Sequence, residues 1–422
     1  MTWSAMFGFD ERYTENCRIY NMLKSAPEHI SFHTPGHKAG KWDITELAFS
    51  DNLSAPSGVL KEAQEDIARI LGSDKAFILT DGSTSGVMSM LRASGVKKLL
   101  FAECSHKSVY NGCALMGIEP VIFKNGYLGS VPQQPAAEEI EELLVAHGCD
   151  GVLLTSPDYY GNVADWQAIK AVCSRHGAVL LCDGAHGSHL HGTALYGGNY
   201  CDLWVDGVHK NLPCFTQGAV VSANGKYAEA LERAVDIFRT TSPNYLLMAS
   251  VEYAVKYPRN GYVERRSTEI KQKYDAYPNA DWSKIVLHFG ANAFSADEYL
   301  QRKGVYAEFC DGANIMFYLS PVTTEEQLRV LENALDELTP LRQKDGGVSE
   351  GKRGKKSETR TWVPLSAAEG RTAAQNAGLF PPCIPLVVDG DKITAGQAQK
   401  LLTANNTYGL KDKRILVYDD ER

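Results

Sequence analysis

A lysine placed where an apolar strand ends is the first chemical signal in this chain. The stretch "DLWVDGVHKNLPCFTQGAVV" (Asp202–Val221) runs Leu203-Trp204-Val205 into a turn and then His209-Lys210 beside Pro213. An amine held among apolar groups loses basicity and can attack a carbonyl, whereas a surface lysine remains a solvated cation. Two further strand ends carry matching chemistry. "TDGSTSG" (Thr80–Gly86) sets two glycines and the hydroxyls of Ser83, Thr84 and Ser85 where a strand passes into a helix. Backbone N–H groups at a helix N-terminus suit a phosphate there, although the same residue types also serve simply to cap a helix. "LLCDGAHGSH" puts Asp183 at the end of an apolar strand, where a carboxylate is costly without a cationic partner. A protonated pyridine nitrogen is such a partner, and Gly184 and Ala185 are small enough for a flat ring to lie against the chain. The plainer reading of Asp183 is a helix cap.

Lys210 follows Asp183 by 27 positions (210 minus 183), with one strand between them. In a parallel sheet both lie on the edge that carries the glycine-rich turn. A phosphate cradle, a buried carboxylate and a strand-end lysine together describe a site for pyridoxal 5'-phosphate: lysine for the aldehyde, aspartate for the ring nitrogen, turn for the phosphate. His186, His189 and His191 offer metal-ligand types, but their mixed spacing suits no single face and no acid or cysteine completes a set, so no metal is expected.

These residues need a sheet to hold them. "AFILT", "KKLLFA", "PVIF", "DGVLLT" and "AVLLC" read as strands between residues 76 and 182, and "AAEEIEELLVAHG" and "DWQAIKAVCSRHG" as amphipathic helices ending at glycine. The alternation predicts an α/β fold, a mainly parallel sheet with helices on both faces and ligands at the carboxyl ends of its strands. We divide the chain into an N-terminal segment (1–60), a large domain (61–260) and a smaller C-terminal α+β domain (261–422), the last interrupted by a flexible loop at 342–360 rich in charge, glycine and serine.

Composition sets the outer bounds. With 422 residues, 44% apolar and 22% charged, the chain can bury a large core. Its net charge of −8 argues against wrapping nucleic acid or binding an acidic membrane. Ten cysteines without a CxxC pair suit a reducing compartment, and no signal peptide or bilayer-length apolar run is evident. The expectation is a cytoplasmic protein.

The ordered segments "HTPGHKAG", "ECSHKSVYNG", "LLTSPDYYGNVADWQAI", "CDGAHGSH", "VHKNLPCFTQGAVV", "RTTSPNYLLMASVEYA" and "EGRTAAQNAGLFPPCIPLVVDGDKIT" make most of this sequence resemble the bacterial-type ornithine/lysine/arginine decarboxylases, which share the fold-type-I aminotransferase architecture. The resemblance implies alpha-decarboxylation of a basic amino acid, arginine or lysine favoured over ornithine, with pyridoxal 5'-phosphate as cofactor and a place in polyamine biosynthesis. It implies Lys210 as the Schiff-base lysine, Asp183 as partner of the pyridinium, His106 stacked on the ring with Ala185 against its other face, and Ser83, Thr84 and His209 near the phosphate. It further implies that Ser242, in "TTSP", reaches the neighbouring subunit's cofactor in a homodimer or higher homo-oligomer with shared active sites. His37 and Lys38 gain an expected place near the active site; Tyr159 and Tyr160 read equally as pocket walls or sheet-edge packing. Lys210 or His209 is expected to reprotonate the substrate. Glu308, Asp311 and Glu369 are candidates to receive the substrate's distal cation.

Two positions depart from the family pattern: Gly207 stands where a serine or threonine usually precedes the lysine by three, and Cys383 where "PPGIP" has glycine. The chain resembles the short form, without a response-regulator-like N-terminal domain. Rival readings are an aminotransferase or aldolase on the same fold, and a homologue that binds the cofactor without turnover.

Overall fold

The computed structural model describes residues 8–38, 42–342, 359–380, 383, 385–404 and 406–419. The apolar runs become strands β1 (Lys75–Leu79), β2 (Lys98–Ala102), β3 (Glu119–Phe123), β4 (Gly151–Thr155), β5 (Val179–Gly184), β6 (Leu203–Asp206) and β7 (Ala219–Ala223). They form one sheet in the order β1-β7-β6-β5-β4-β2-β3. The links from β6 through β5, β4 and β2 to β3 are parallel. Strand β7 runs against both its neighbours. The chain from Lys210 to β7 is too short for the crossover a parallel strand requires, so it doubles back. That reversal returns Thr216, Gln217 and Gly218 to the edge where Lys210 sits.

Alternate strand residues feed two separate cores, as a sheet covered on both faces requires. Leu100, Val152, Leu154, Leu180, Trp204 and Val220 pack on one side with the helices Val59–Leu71, Trp166–His176 and Tyr245–Lys256. Leu99, Phe101, Leu153, Leu181, Val205 and Val221 pack on the other with Gly82–Ser94, Lys107–Met116 and Ala228–Phe238. The N-terminal residues Phe9, Ile19, Tyr20, Leu23, Trp42 and Leu53 join the first of these cores.

A second sheet holds β8 (Lys284–His288), β9 (Phe309–Cys310) and β10 (Asn314–Tyr318), antiparallel in the order β8-β10-β9. Ile285, Leu287, Ile315 and Phe317 face its own helices. Val286, Phe309 and Met316 turn the other way and pack on Tyr159, which follows β4 of the large sheet. Residues from Val363 to Val417 enclose another apolar cluster around Leu365, Val387, Leu401 and Ile415. Most of the segment expected as a flexible loop, residues 343–358, lies outside the described residues. Among the described residues no helix is long and apolar enough to cross a membrane.

The register fixes where the strands deliver their last residues. Thr155 pairs with Asp183, and Gly184 with Asp206, so the ends of β4, β5 and β6 lie level. Gly207 follows directly, and a Cβ there would press into the carbonyl oxygen and Cα of Ala185. Backbone approach of β5 to β6 therefore demands glycine, which accounts for the missing serine or threonine. Replacing Gly207 with Ser should lower stability by about 1–3 kcal/mol, the usual cost of overpacking. Urea denaturation of the purified variant measures this, and an unchanged midpoint would contradict the close approach.

Candidate active site

The carboxyl ends of β1, β2, β4, β5 and β6, with the turn before β7, enclose a cavity of about 250 Å³. From β1 the chain turns at Gly82, whose φ of 76° favours glycine, and enters the helix Gly82–Ser94. Ser83 and Thr84 line the cavity at that N-terminus. Ser85 does not: it is buried, and its hydroxyl donates to the Gly82 carbonyl at 2.9 Å.

His106 follows β2 and caps the helix Lys107–Met116, its Nδ1 accepting from the Ser108 amide at 3.2 Å and lying 2.8 Å from the Ser108 hydroxyl. Its ring lines the cavity, and burial, reinforced by Lys210 and Lys107, holds its pKa down to about 3. The ring is thus a neutral flat surface. At the next residue, the Lys107 amide donates to the Cys383 carbonyl at 3.2 Å. Cys383 is buried with a φ of 60°, so the cysteine adopts the left-handed conformation that glycine would take more readily.

Asp183 ends β5 fully enclosed. One carboxylate oxygen accepts from the Ala185 amide at 3.1 Å, and the other has no hydrogen-bond partner among the described residues. Burial pushes its pKa up, opposed by the positive field of Lys210. A carboxylate in that condition gains most from a cation brought to its free oxygen. Lys210, on the short helix Val208–Asn211 after β6, has its pKa lowered by burial, against the fields of Asp183 and Glu308. His209 donates from Nδ1 to the Gly218 carbonyl at 3.0 Å, leaving Nε2 unprotonated, and burial lowers its pKa. Ala185 and His209 both line the cavity.

His186, weighed from the sequence only as a metal ligand, stands beside Lys210 instead. Its Nε2 stands 3.1 Å from Lys210 Nζ, and its Nδ1 meets the hydroxyl of Tyr318, brought in by β10 of the second sheet. The only sequence signal for it was the histidine cluster, whose members part ways. His189 pairs with Asp281 at 2.6 Å in full burial, and His191 meets the Ser188 carbonyl at 2.7 Å. Asp281 also holds Lys284 at 2.9 Å, a buried charge group beside the cavity.

Tyr159 and Tyr160 are cavity walls. Their hydroxyls donate to Glu308 at 2.6 Å and Asp311 at 2.7 Å. Glu369, by contrast, is exposed. Ser242 is exposed and outside the cavity, its amide donating to Thr240 Oγ1 at 3.2 Å. His37 and Lys38 are likewise exposed, His37 pairing with Asp43 at 3.0 Å; Ala39 and Gly40 of the same motif, and Pro381, Pro382 and Ile384 near Cys383, lie outside the described residues.

Residues 41–275 match the family model described as "Orn/Lys/Arg decarboxylase, major domain". The chain belongs to the Orn/Lys/Arg decarboxylase family. It is 29% identical to YaaO of Bacillus subtilis, over 93% of this chain and 96% of that one. It is 25% identical to an arginine decarboxylase of Halalkalibacterium halodurans, over 90% and 91%. Its fold matches that of the constitutive lysine decarboxylase of Escherichia coli with a TM-score of 0.71 at 17% identity, covering 98% of this chain and 84% of that one. The fold is that of fold-type-I pyridoxal-phosphate enzymes.

The depressed basicity of His106 has a consequence for stability. Unfolded, the imidazole takes up a proton below about pH 6.5, while the folded chain keeps it neutral to about pH 3. The unfolded state binds more protons across that window, so acid removes stability, by ~1.4 kcal/mol per pH unit for a fully shifted group. Comparing urea midpoints of the cofactor-free chain and His106→Phe at pH 7 and pH 5 isolates this group: the parent should lose more stability than the variant. Equal losses would contradict a neutral, buried His106.

Proposed function

We propose that the chain binds pyridoxal 5'-phosphate in this cavity and decarboxylates a basic amino acid, arginine or lysine. The observation that carries the reading is the pairing, in one enclosed space, of a desolvated lysine amine with a buried carboxylate oxygen that has no hydrogen-bond partner among the described residues. The other residues fit the same group. A glycine turn with Ser83 and Thr84 at a helix N-terminus suits the phosphate, the His106 ring and the small Ala185 suit the two faces of a pyridine, and His209 stands beside them.

When bound, the cofactor supplies an electron sink for the pair left at Cα as carbon dioxide departs. The chain's own residues do the rest. Lys210 Nζ, kept from its usual basicity, is the amine that would hold the cofactor through its aldehyde carbon. Asp183, an anion once a cation faces it, holds a proton on the ring nitrogen. His106 and Ala185 would hold a flat ring between them and so help orient the substrate attached to it. Enclosure by Tyr159 and Tyr160 keeps water from the reacting carbon. Lys210 Nζ or His209 Nε2 returns the proton to Cα.

Glu308, behind Tyr159, is the acid best placed to attract a distal ammonium or guanidinium, since its field already reaches Lys210. The names of the relatives support the basic substrate. A homo-oligomer in which the exposed Ser242 serves a neighbouring site, a cytoplasmic location and a role in polyamine biosynthesis belong to the same proposal.

Carbon dioxide release by the cofactor-loaded protein from arginine, lysine and ornithine tests it. Release from arginine or lysine should fall by at least about a thousandfold in Lys210→Ala and in Asp183→Asn, a loss in line with removal of a covalent anchor or a main electrostatic stabiliser. Keto-acid formation without carbon dioxide, or full activity in either variant, would overturn the reading.

A further inference from the structure

Tyr318, on the second sheet, stands behind the cavity-lining His186, yet nothing in the proposed chemistry uses it. Its hydroxyl has one hydrogen-bond partner among the described residues, Nδ1 of His186. His186 Nε2 in turn stands 3.1 Å from Lys210 Nζ. The rings of Tyr318 and His186 lie nearly parallel, 12° apart with centroids 5.9 Å from one another, and Tyr159 packs edge-on against His186 at 4.7 Å. The imidazole is therefore clamped between two tyrosines, and its orientation is fixed by packing.

Counting protons in this chain of three groups gives a direction. Two tautomers of a neutral imidazole fit the heavy atoms. If Nδ1 carries the proton and donates to Tyr318, the tyrosine O–H is left with no acceptor among the described residues, and a donor without a partner in a largely enclosed place is costly. If Nε2 carries it, the Tyr318 O–H donates to Nδ1 and Nε2–H donates to the lone pair of Lys210, so the phenol and imidazole protons both have acceptors. A proton donor facing an amine favours the free base, because an ammonium in the same place has no lone pair to accept the bond.

We propose that Tyr318 is a positioning residue that locks His186 as the Nε2–H tautomer and thereby holds Lys210 as a neutral amine. The surroundings agree with that assignment. Burial and the neighbouring cations keep His186 neutral, and burial keeps the Tyr318 hydroxyl protonated. The groups facing Lys210 are mixed: Asp183, Glu308 and Cys383 favour its ammonium form, while burial and Lys284 oppose it, and His106 and His209 are held neutral. The carboxylates alone would restore the charge that a nucleophilic amine must lack, and the Tyr318–His186 pair acts against them. Lys284 lies 5.4 Å over the Tyr318 ring, tied to Asp281, so the phenol itself is anchored within the second sheet.

This inference rests on the reading of Lys210 as the amine that takes up the aldehyde, but its test needs no turnover, so the two can fail separately. The full chain, freed of cofactor, is pulsed with acetic anhydride between pH 6 and pH 11, and acylation of Lys210 is read by peptide mass spectrometry against the exposed Lys61 of the same sample. Tyr318→Phe should make Lys210 about tenfold less reactive at pH 8, moving its midpoint up by about one pH unit, with Lys61 unchanged. In a His186→Ala background the same substitution should change nothing further, because the hydroxyl acts through the imidazole. Nitrogen-15 spectra of the unsubstituted chain read the tautomer directly, with the proton expected on Nε2 of His186. An unmoved or lowered Lys210 midpoint in Tyr318→Phe, a shift that persists without His186, or a proton found on Nδ1 would each overturn the proposal.

Discussion

Removing a lysine amine and an aspartate from water at the ends of adjacent strands is the constraint around which the rest of this structure is arranged. Each group alone is disfavoured in its charged form by burial: Lys210 loses basicity and Asp183 gains it. They remain in place because the strands that carry them are fixed by a core on both faces of the sheet. Leu181 and Val205 face one core while Leu180 and Trp204 face the other. A sheet so held cannot slip register without turning its whole apolar set to the wrong side. The cost of two poorly solvated ionisable groups is thus carried by packing elsewhere in the molecule, and the site keeps an unmet demand for a cation at Asp183 and for a carbonyl at Lys210.

The second sheet is part of the same device. Its outward face, through Val286, Phe309 and Met316, packs on Tyr159, and Glu308 and Tyr318 at its strand ends hydrogen-bond to the cavity-lining Tyr159 and His186. Apolar packing between the two sheets therefore sets how far Glu308 and Tyr318 stand from Lys210. The buried group of Asp281, Lys284 and His189 reinforces the seam: Lys284 also donates to the Asp158 carbonyl at 3.0 Å, tying β8 to the loop after β4. Buried charges of this kind are stable when every partner is present and costly when one is removed, which suits a joint that must form in one way only.

Much of this was legible in the sequence because strand-end chemistry follows from hydrophobic patterning. The strands containing Phe77, Leu100, Leu153, Leu181 and Trp204 were readable as apolar runs, and their ends located Ser83, Thr84, Asp183 and Lys210 on one edge. Strand β7 was not foreseen as antiparallel, because its apolar run "AVV" carries no directional signal; the short connection from Lys210 decides it. The role of Ser85 was misjudged as a cavity hydroxyl, since on a helix its side chain turns back to the Gly82 carbonyl. Gly207 looked like a lost hydroxyl and is instead a steric requirement at the Ala185 carbonyl. His186 was weighed only as a metal ligand, because its partners, Lys210 and Tyr318, lie 24 and 132 positions away, a proximity that only the tertiary fold creates.

The central claim is that Lys210 is the group on which the cofactor is held. It is tested most directly by mixing the purified chain with pyridoxal 5'-phosphate, reducing with borohydride to fix the cofactor to whichever amine holds it, and mapping the modified peptide by mass spectrometry. The account predicts a single modified residue, Lys210, at one cofactor per chain. Modification spread over surface lysines such as Lys61 and Lys226, with Lys210 untouched, would contradict it.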